Sequence, residues 1–353
     1  MQLTISRTEL ARVVGAVGKV VEARNTIPIL SNILLETEGD TLKVTATDLD
    51  IVVSDTAPAS VQVEGRVCVD ARLIGDIAKK AGGDVSLSLE GNKLVVKSGR
   101  SRFSLETRDP ADFPSLADGK YDVTIDVDLA SLFAPVSFAI AVKDVRPFLE
   151  GIYLHVMDGK LTAVATNGHR LARHVGGDAP GFAGVIIAQK PVSVISGIKG
   201  VAKVSINNEK VRVESEGFVM TTKLIAGDYP DYRRVIPVQN NLVASADKGD
   251  ILKAAERVTV VSHQRGNAVK MSVVPGGITM TVHGAEGDAV DELPAEYNGE
   301  PVDIGFNSIY LRDALHVFPD GLVDIALSDP GSPARITSPT YPSLDVTLMP
   351  MRV

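Results

Sequence analysis

The sequence predicts an α+β protein built from three repeats of one unit, each with two helices packed on antiparallel sheet. A repeated segment, period-two apolar runs and helical apolar stripes carry that expectation. Residues 30–48, LSNILLETEGDTLKVTATD, return without a gap 119 residues later as LEGIYLHVMDGKLTAVATN, residues 149–167. Leu42 aligns with Leu161, Ala46 with Ala165, Thr47 with Thr166 and Asp48 with Asn167. A weaker third copy is NAVKMSVVPGGITMTVHG at 267–284, where Ile278 falls 117 residues beyond Leu161.

Each copy holds two alternating runs around a polar or Gly-rich turn: ILLET and LKVTA, IYLHV and LTAVA, VKMSV and ITMTV. Alternation rich in Val, Ile and Thr describes strands with one buried face, and the short turn makes each pair a hairpin. Ahead of each hairpin runs a helical stripe: Leu10, Val13, Val14, Val17, Val20 and Val21; then Leu129, Leu132, Phe133 and Val136; then Ile251, Leu252, Ala255 and Val258. A second helix per unit is expected at Ile74, Ile77 and Ala78; at Val192, Ile195 and Ile198; and at Tyr310, Leu311, Ala314 and Leu315. Pro135 and Pro191 interrupt the pattern, although Pro191 suits a first turn. VSLSL, KLVVK, RFSLE, KVSIN, KVRVE and VMTTKL read as further strands. Junctions near 118–122 and 237–242 divide the chain into domains 1–120, 121–238 and 239–353.

With 353 residues, 44% hydrophobic and 23% charged, the chain has enough apolar mass for two or three cores and does not read as disordered. Lys and Arg total 36 against 44 Asp and Glu, a formal charge of −8, which does not favour nucleic acid overall but leaves room for a local basic surface. The single Cys68 permits neither an intrachain disulfide nor a four-cysteine metal site, and within Val67-Cys68-Val69 it reads as a small buried side chain. MQLTISRTEL lacks a basic region followed by an apolar stretch, and no window has 18 uninterrupted apolar residues, so a cytoplasmic protein is expected.

The sequence carries little catalytic chemistry. Zinc-protease, EF-hand, P-loop, nucleophile-elbow and dinucleotide motifs are missing from the sequence, and His169 and His174 stand five apart, which is not a metal spacing. Asp48, Asp50 and Asp55 read as a strand end meeting a solvated turn, and DGK at 118–120 and 158–160 as turn chemistry. No metal, no cofactor and no catalytic carboxylate constellation are expected. Taken alone, Leu171, Val235 and Met349 read as core residues and His169 as a hydrogen-bonded surface residue. An apolar terminus, MPMRV, fits a core less well, because chain ends are mobile unless docked. Two alternatives stand at this point: a noncatalytic repeat protein that binds peptides without encircling DNA, and an enzyme using Asp48, Asp50 or His169.

The phrases RNTIPIL (24–30), TATDLD (45–50), SGRSRFSL (98–105), ATNGHRL (165–171), YPDYRRV (229–235) and MPMRV (349–353) together resemble the bacterial DNA polymerase III beta subunits, the replicative sliding clamps, along the whole chain. The resemblance implies three DNA-clamp domains per chain and a head-to-tail homodimer closed into a ring around duplex DNA without sequence specificity. It also implies a noncatalytic role, with polymerase terms attaching only through the holoenzyme. Partners implied are the polymerase III catalytic subunit, the clamp loader, translesion and repair polymerases, ligase and mismatch-repair proteins, each through a short peptide presenting Leu or Phe.

Carried onto this chain, the resemblance implies a DNA-facing set of Arg24, Arg72, Lys79, Lys80, Lys143, Arg146, Phe148, Lys190 and Lys199. A peptide groove is implied at Leu149, Thr166, Gly168, His169, Arg170 and Leu171; at Pro230, Arg234 and Val235; at Asn307 and Tyr310; and at Met349, Pro350, Met351, Arg352 and Val353. The implied subunit seam sets Phe103 and Leu105 against Val260 and Val261, with Lys97, Arg100 and Arg102 facing acids such as Glu296 and Glu300. Diffuse phosphate attraction suits a sliding contact, and Met and Pro suit a groove that accepts several partners.

Overall fold

The computed structural model describes every residue except 23–25, 117–118, 262–267, 285–286 and 353. Among the described residues the helices are α1 (Arg7–Gly18), α2 (Ala71–Lys80), α3 (Leu129–Phe133), α4 (Gln189–Ile195), α5 (Lys248–Val258) and α6 (Ser308–His316), two per repeat as expected. Four carry side-chain N-caps: Ser6 accepts from the Glu9 amide, Asp70 from Leu73, Asp247 from Gly249 and Asp250, and Asn307 from Ile309 and Tyr310. Each cap satisfies an amide that the helix cannot, worth about 1 kcal/mol. α3 ends after one turn, short of the predicted stripe, because Pro135 follows directly and Val136 already begins the 3-10 turn Ser137–Ala139. Pro191 sits in the first turn of α4, where its missing N–H is harmless.

The chain forms two compact units: Met1–Ala130 with Lys190–Leu224, and Ser131–Gln189 with Ile225–Val353. The central repeat is therefore shared between them. In the first unit one 13-stranded sheet runs Val123–Val127, Ala202–Ile206, Lys210–Ser215, Phe218–Lys223, Ile51–Pro58, Thr41–Thr47, Asn32–Glu38, Arg66–Asp70, Ser101–Arg108, Lys93–Ser98, Val85–Glu90, Gln2–Ile5, Ser60–Val63. The second unit holds an eight-stranded sheet, Val185–Ala188, Gly151–Met157, Lys160–Thr166, Arg170–Asp178, Leu344–Leu348, Ala334–Thr337, Leu322–Leu327, Leu242–Asp247, and a four-stranded sheet, Gly287–Pro294, Gly277–Gly284, Ala268–Val274, Val302–Asn307.

The same four-strand order appears once per repeat: a strand feeding the second helix, the hairpin pair, then an outer strand. The hairpins are those read from the sequence, with Leu35 opposite Val44 and Leu154 opposite Ala163 in matching registers. Asp158 and Gly159, both at positive φ, make the DGK turn of the second hairpin. In the first unit Leu10, Val13, Val14 and Val17 of α1 and Ile74 and Ala78 of α2 are buried. α1 lies over Thr41–Thr47 and Ile51–Pro58, and there Arg12 reaches the buried Asp55 at 2.7 Å. Removing Arg12 would leave a buried carboxylate unpaired, a costly state.

Candidate functional site

The acidic cluster of the first repeat disperses into three separate ion pairs. Asp55 takes Arg12, Asp50 takes Lys223 at 2.9 Å, and Asp48 takes Lys190 at 2.5 Å. Among the described residues no group of three His, Cys, Asp or Glu side chains could hold a metal ion, and no helix is long and apolar enough to cross a membrane. Cys68 is buried, and desolvation pushes its thiol up to about 12, so it is inert at neutral pH.

Of the residues read as DNA-facing, Arg72, Lys79 and Lys80 lie exposed on α2, with the last two on its final turn where the helix dipole favours cations. Lys143 and Lys199 are exposed too, and Phe148 is half-buried. A cleft of about 840 Å³ between α1 and α2 adds Lys19, a cation that the sequence reading passed over, together with Glu22, Asp70 and Asp76. Two of the predicted cations are already paired. Lys190 is held by Glu22 and Asp48, and Arg146 grips Asp144 through both Nε (2.9 Å) and Nη2 (3.0 Å). That grip and the Arg146 amide draw the Asp144 carboxyl down to about 2. Arg24 lies outside the described residues.

On the peptide side, the turn over residues 166–170 is the organising element. Thr166 Oγ1 donates to the Arg170 carbonyl at 2.8 Å and accepts from the Gly168 amide at 3.1 Å. Asn167 Oδ1 accepts from the amides of His169 (2.9 Å) and Arg170 (3.1 Å). Gly168 has φ +87°, open to glycine without steric cost. His169 is exposed and stacks on Tyr310 of α6 with centroids 5.9 Å apart. The Arg170 guanidinium lies 4.7 Å from the Tyr310 ring centre and 5.0 Å from that of Phe138. It donates to Asp313 at 2.7 Å and to the Phe138 carbonyl. With 11% of its side chain exposed, Arg170 is a post that holds Tyr310 and His169 in place; Phe138 and Asp313 had no sequence signal for that task.

Asn307 spends its side-chain oxygen capping α6 and so fixes the turn bearing Tyr310. The terminal segment is pinned at alternate residues: the Met349 amide donates to the His169 carbonyl and the Met351 amide to that of Gly305, each at 2.9 Å. Met349 remains 37% exposed, Pro350 and Met351 are half-buried and Arg352 is exposed, while Val353 lies outside the described residues. Leu149 and Leu171 are buried, Leu171 in a cluster with Val164, Tyr232 and Ile236. Pro230, Arg234 and Val235 stand at the surface of the neighbouring segment.

The seam residues fall beside two open sheet edges. Ser101–Arg108 pairs with Lys93–Ser98 along its length, but on its other side only through Thr107 and Arg108. Phe103 is 40% exposed there, whereas Leu105 is buried; Lys97, Arg100 and Arg102 are exposed, Arg102 beside Glu90 at 3.3 Å. Gly287–Pro294 pairs only with Gly277–Gly284 among the described residues. Val260 and Val261 belong to the 3-10 turn Thr259–Val261 packed on those two strands, Val260 being 83% exposed. Glu296 and Glu300 are exposed but lie past the end of the open strand, Glu296 in a backbone bridge to Ser245. The acids on the strand itself are Asp288 and Glu292, flanking the exposed Val290, with Asp291 turned to Arg257. Strand register, which a sequence does not display, selects them.

The comparisons with known proteins agree along the whole chain. Descriptions of the N-terminal, central and C-terminal domains of the DNA polymerase III beta subunit match residues 1–117, 125–231 and 233–352. The chain is 39% identical over 372 aligned positions to the beta sliding clamp of Caulobacter vibrioides (strain NA1000 / CB15N), and 32% identical over 367 to that of Escherichia coli (strain K12), covering 100% of both sequences each time. Among solved structures, a Caulobacter crescentus beta sliding clamp superposes with a TM-score of 0.94 at 39% identity. A Bartonella birtlesii sliding clamp bound to griselimycin superposes with 0.96 at 34%; both comparisons cover 100% of each chain.

Proposed function

The chain belongs to the DNA polymerase III beta subunit family, and from that premise we propose that it is a cytoplasmic, noncatalytic sliding clamp. Two copies close head to tail around duplex DNA and tether the replicative polymerase to it. The observation that carries the ring is a repeated sheet junction with one member unfilled. Phe218–Lys223 of the second repeat pairs with Ile51–Pro58 of the first, and Leu344–Leu348 of the third pairs with Arg170–Asp178 of the second. By the same rule Ser101–Arg108 of the first repeat needs the outer strand of a third repeat, and Gly287–Pro294 offers that strand.

A second copy placed head to tail supplies both missing partners, so two chains close and neither of these two edges is left to aggregate. Charge supports the pairing. At the filled junction Lys223 meets Asp50 at 2.9 Å, and at the open one Lys97, Arg100 and Arg102 would meet Asp288 and Glu292.

The domains 1–120, 121–238 and 239–353 then each contribute two helices to a DNA-facing layer. Among the described residues Lys19, Arg72, Lys79, Lys80, Lys143 and Lys199 are exposed cations of that layer, with Lys190 and Arg146 buffered by their carboxylates. Such contacts hold phosphates without reading sequence. The groove around His169, Tyr310, Val235 and Met349 takes short peptides from the polymerase, the clamp loader and repair proteins, so partners compete for one site. Topology, more than affinity, retains the DNA.

The test is retention on nicked circular duplex before and after linearisation. The wild-type protein should stay on the circle and leave the linear product by its ends. F103D, which charges the open edge, should be lost from both and run as a monomer. Equal wild-type retention on circular and linear DNA would overturn the ring.

A further inference from the structure

The segment after residue 228 crosses the outer face of the Gly151–Met157 strand, where three large side chains, Tyr153, His155 and Met157, alternate outward and are half-buried. Such a face is ordinarily polar; here it is an anchoring rail. Tyr229 stacks on Tyr153 with centroids 4.7 Å apart and planes 5° apart, and Tyr153 stacks in turn on His155 at 4.7 Å. Tyr232 drops from the 3-10 turn Tyr232–Arg234 into the cluster of Val164, Leu171 and Ile236, and is 5% exposed. Its hydroxyl lies 3.0 Å from His155 Nε2 and 3.7 Å from the Met157 sulfur. Arg233, Arg234 and Val235 around it all point to solvent.

The arch between these anchors is not packed solid. A cavity of about 280 Å³ opens among Tyr153, His155, Met157, Tyr229, Pro230 and Arg233. The space beside the stretch leaves its height to what holds Tyr229 and Tyr232. A sulfur is a weak acceptor, so His155 is the strong partner of the buried phenol.

We infer that His155 is a positioning residue for the peptide groove: through the Tyr232 hydroxyl it sets the height at which Pro230, Arg234 and Val235 meet a bound peptide. The inference rests on the groove reading above.

The experiment titrates a labelled synthetic peptide carrying Gln, Leu and Phe against the wild type, H155A, H155Q, Y232F, the double variant H155A/Y232F and a chain lacking Met349 to Val353. H155A and Y232F should each bind about fivefold more weakly, the order expected when one buried hydrogen bond is lost. The double variant should be no weaker than Y232F alone. H155Q, whose amide can reach the same hydroxyl, should restore affinity, a rescue that general loosening of the strand would not produce. Circular dichroism melting keeps unfolded variants out of the comparison, and Y232F, which removes one atom, stands in if H155A melts. Wild-type affinity in H155A, or H155Q as weak as H155A, would overturn the role of His155 while loss of binding in the truncation upheld the groove. Unchanged binding in the truncation would remove the groove reading, and this inference with it.

Discussion

The turn over residues 47–51 and the turn over residues 166–170 are made from the same hydrogen bonds and serve different ends. Thr47 Oγ1 donates to the Ile51 carbonyl at 2.9 Å and accepts from the Leu49 amide at 3.0 Å, as Thr166 does with Arg170 and Gly168. Asp48 Oδ1 accepts from the amides of Asp50 and Ile51 as Asn167 Oδ1 accepts from those of His169 and Arg170. Even the neighbouring chain matches: the Lys223 amide donates to the Asp50 carbonyl, and the Met349 amide to that of His169, both at 2.9 Å.

The differences lie in what the shared frame displays. In the first turn Asp48 and Asp50 take Lys190 and Lys223, so the turn seals a sheet junction with charge. In the second the carboxylate is an amide, and His169, which replaces Asp50, is exposed and stacks on Tyr310. The shared frame carries ion pairs in the first turn and an exposed aromatic and apolar surface in the second.

The largest effect is expected when the shared hydroxyl is removed from each turn. T47V and T166V each lose two hydrogen bonds around a buried group, and each should cost about 2 kcal/mol in urea unfolding. Peptide affinity should fall in T166V alone; a T47V protein that folds yet binds peptide poorly would abolish the division of labour.

A smaller asymmetry is expected at the left-handed positions. Leu49 holds φ +81° and Gly168 φ +87°. G168A should destabilise by about 1 kcal/mol, since a Cβ is disfavoured at that φ and would also stand 3.4 Å from Arg146 Nη2. L49G should change stability by less than about 0.5 kcal/mol, because relief of strain is offset by the added freedom of the unfolded chain. Equal and opposite effects measured by denaturation would show that one of the turns relaxes.

Acid should separate the regions more gently. His155 and His174 both lie in the second unit, and burial holds each below the ordinary imidazole range. Arg233 and Arg173 press His155 further down, with Tyr153 and Tyr232 its other neighbours; the Leu132 carbonyl opposes the shift at His174, whose Nε2 faces the Tyr341 hydroxyl at 3.1 Å. A folded pKa below the unfolded value of about 6.5 means the unfolded chain takes the proton first. The contribution is therefore complete above about pH 6.5 and is lost as pH falls through the folded values. Urea unfolding at pH 7.5 and pH 5 should show that loss, and H155Q with H174Q should flatten it. Carboxylates such as Asp144 act lower, near and below about pH 4, and do not blur the window.

The repeat and, among the described residues, the helices and hairpins were legible because apolar periodicity is local: Leu10 to Val17 need no distant residue to declare a buried face. Pro135 was visible too, yet how far it shortened α3 depended on the turn it forced at Val136. The groove could be named through a family resemblance, but which of its residues act in the open could not. Arg170 carries no mark that Asp313, 143 residues away, will occupy it, and Lys190 none that Asp48 waits 142 residues earlier. His155 left a faint trace, as one of three large side chains alternating along a strand, though its partner Tyr232 is 77 residues on.

Most helices and hairpins and the repeat were local matters, because caps, turns and amphipathic faces are set by residues within a few positions of one another. The tertiary structure decided which edges were paired, which charges were neutralised and which apolar residues stayed exposed. Those outcomes depend on strand register and on side chains brought together across more than a hundred residues, where each contact is chosen by the packing of everything around it.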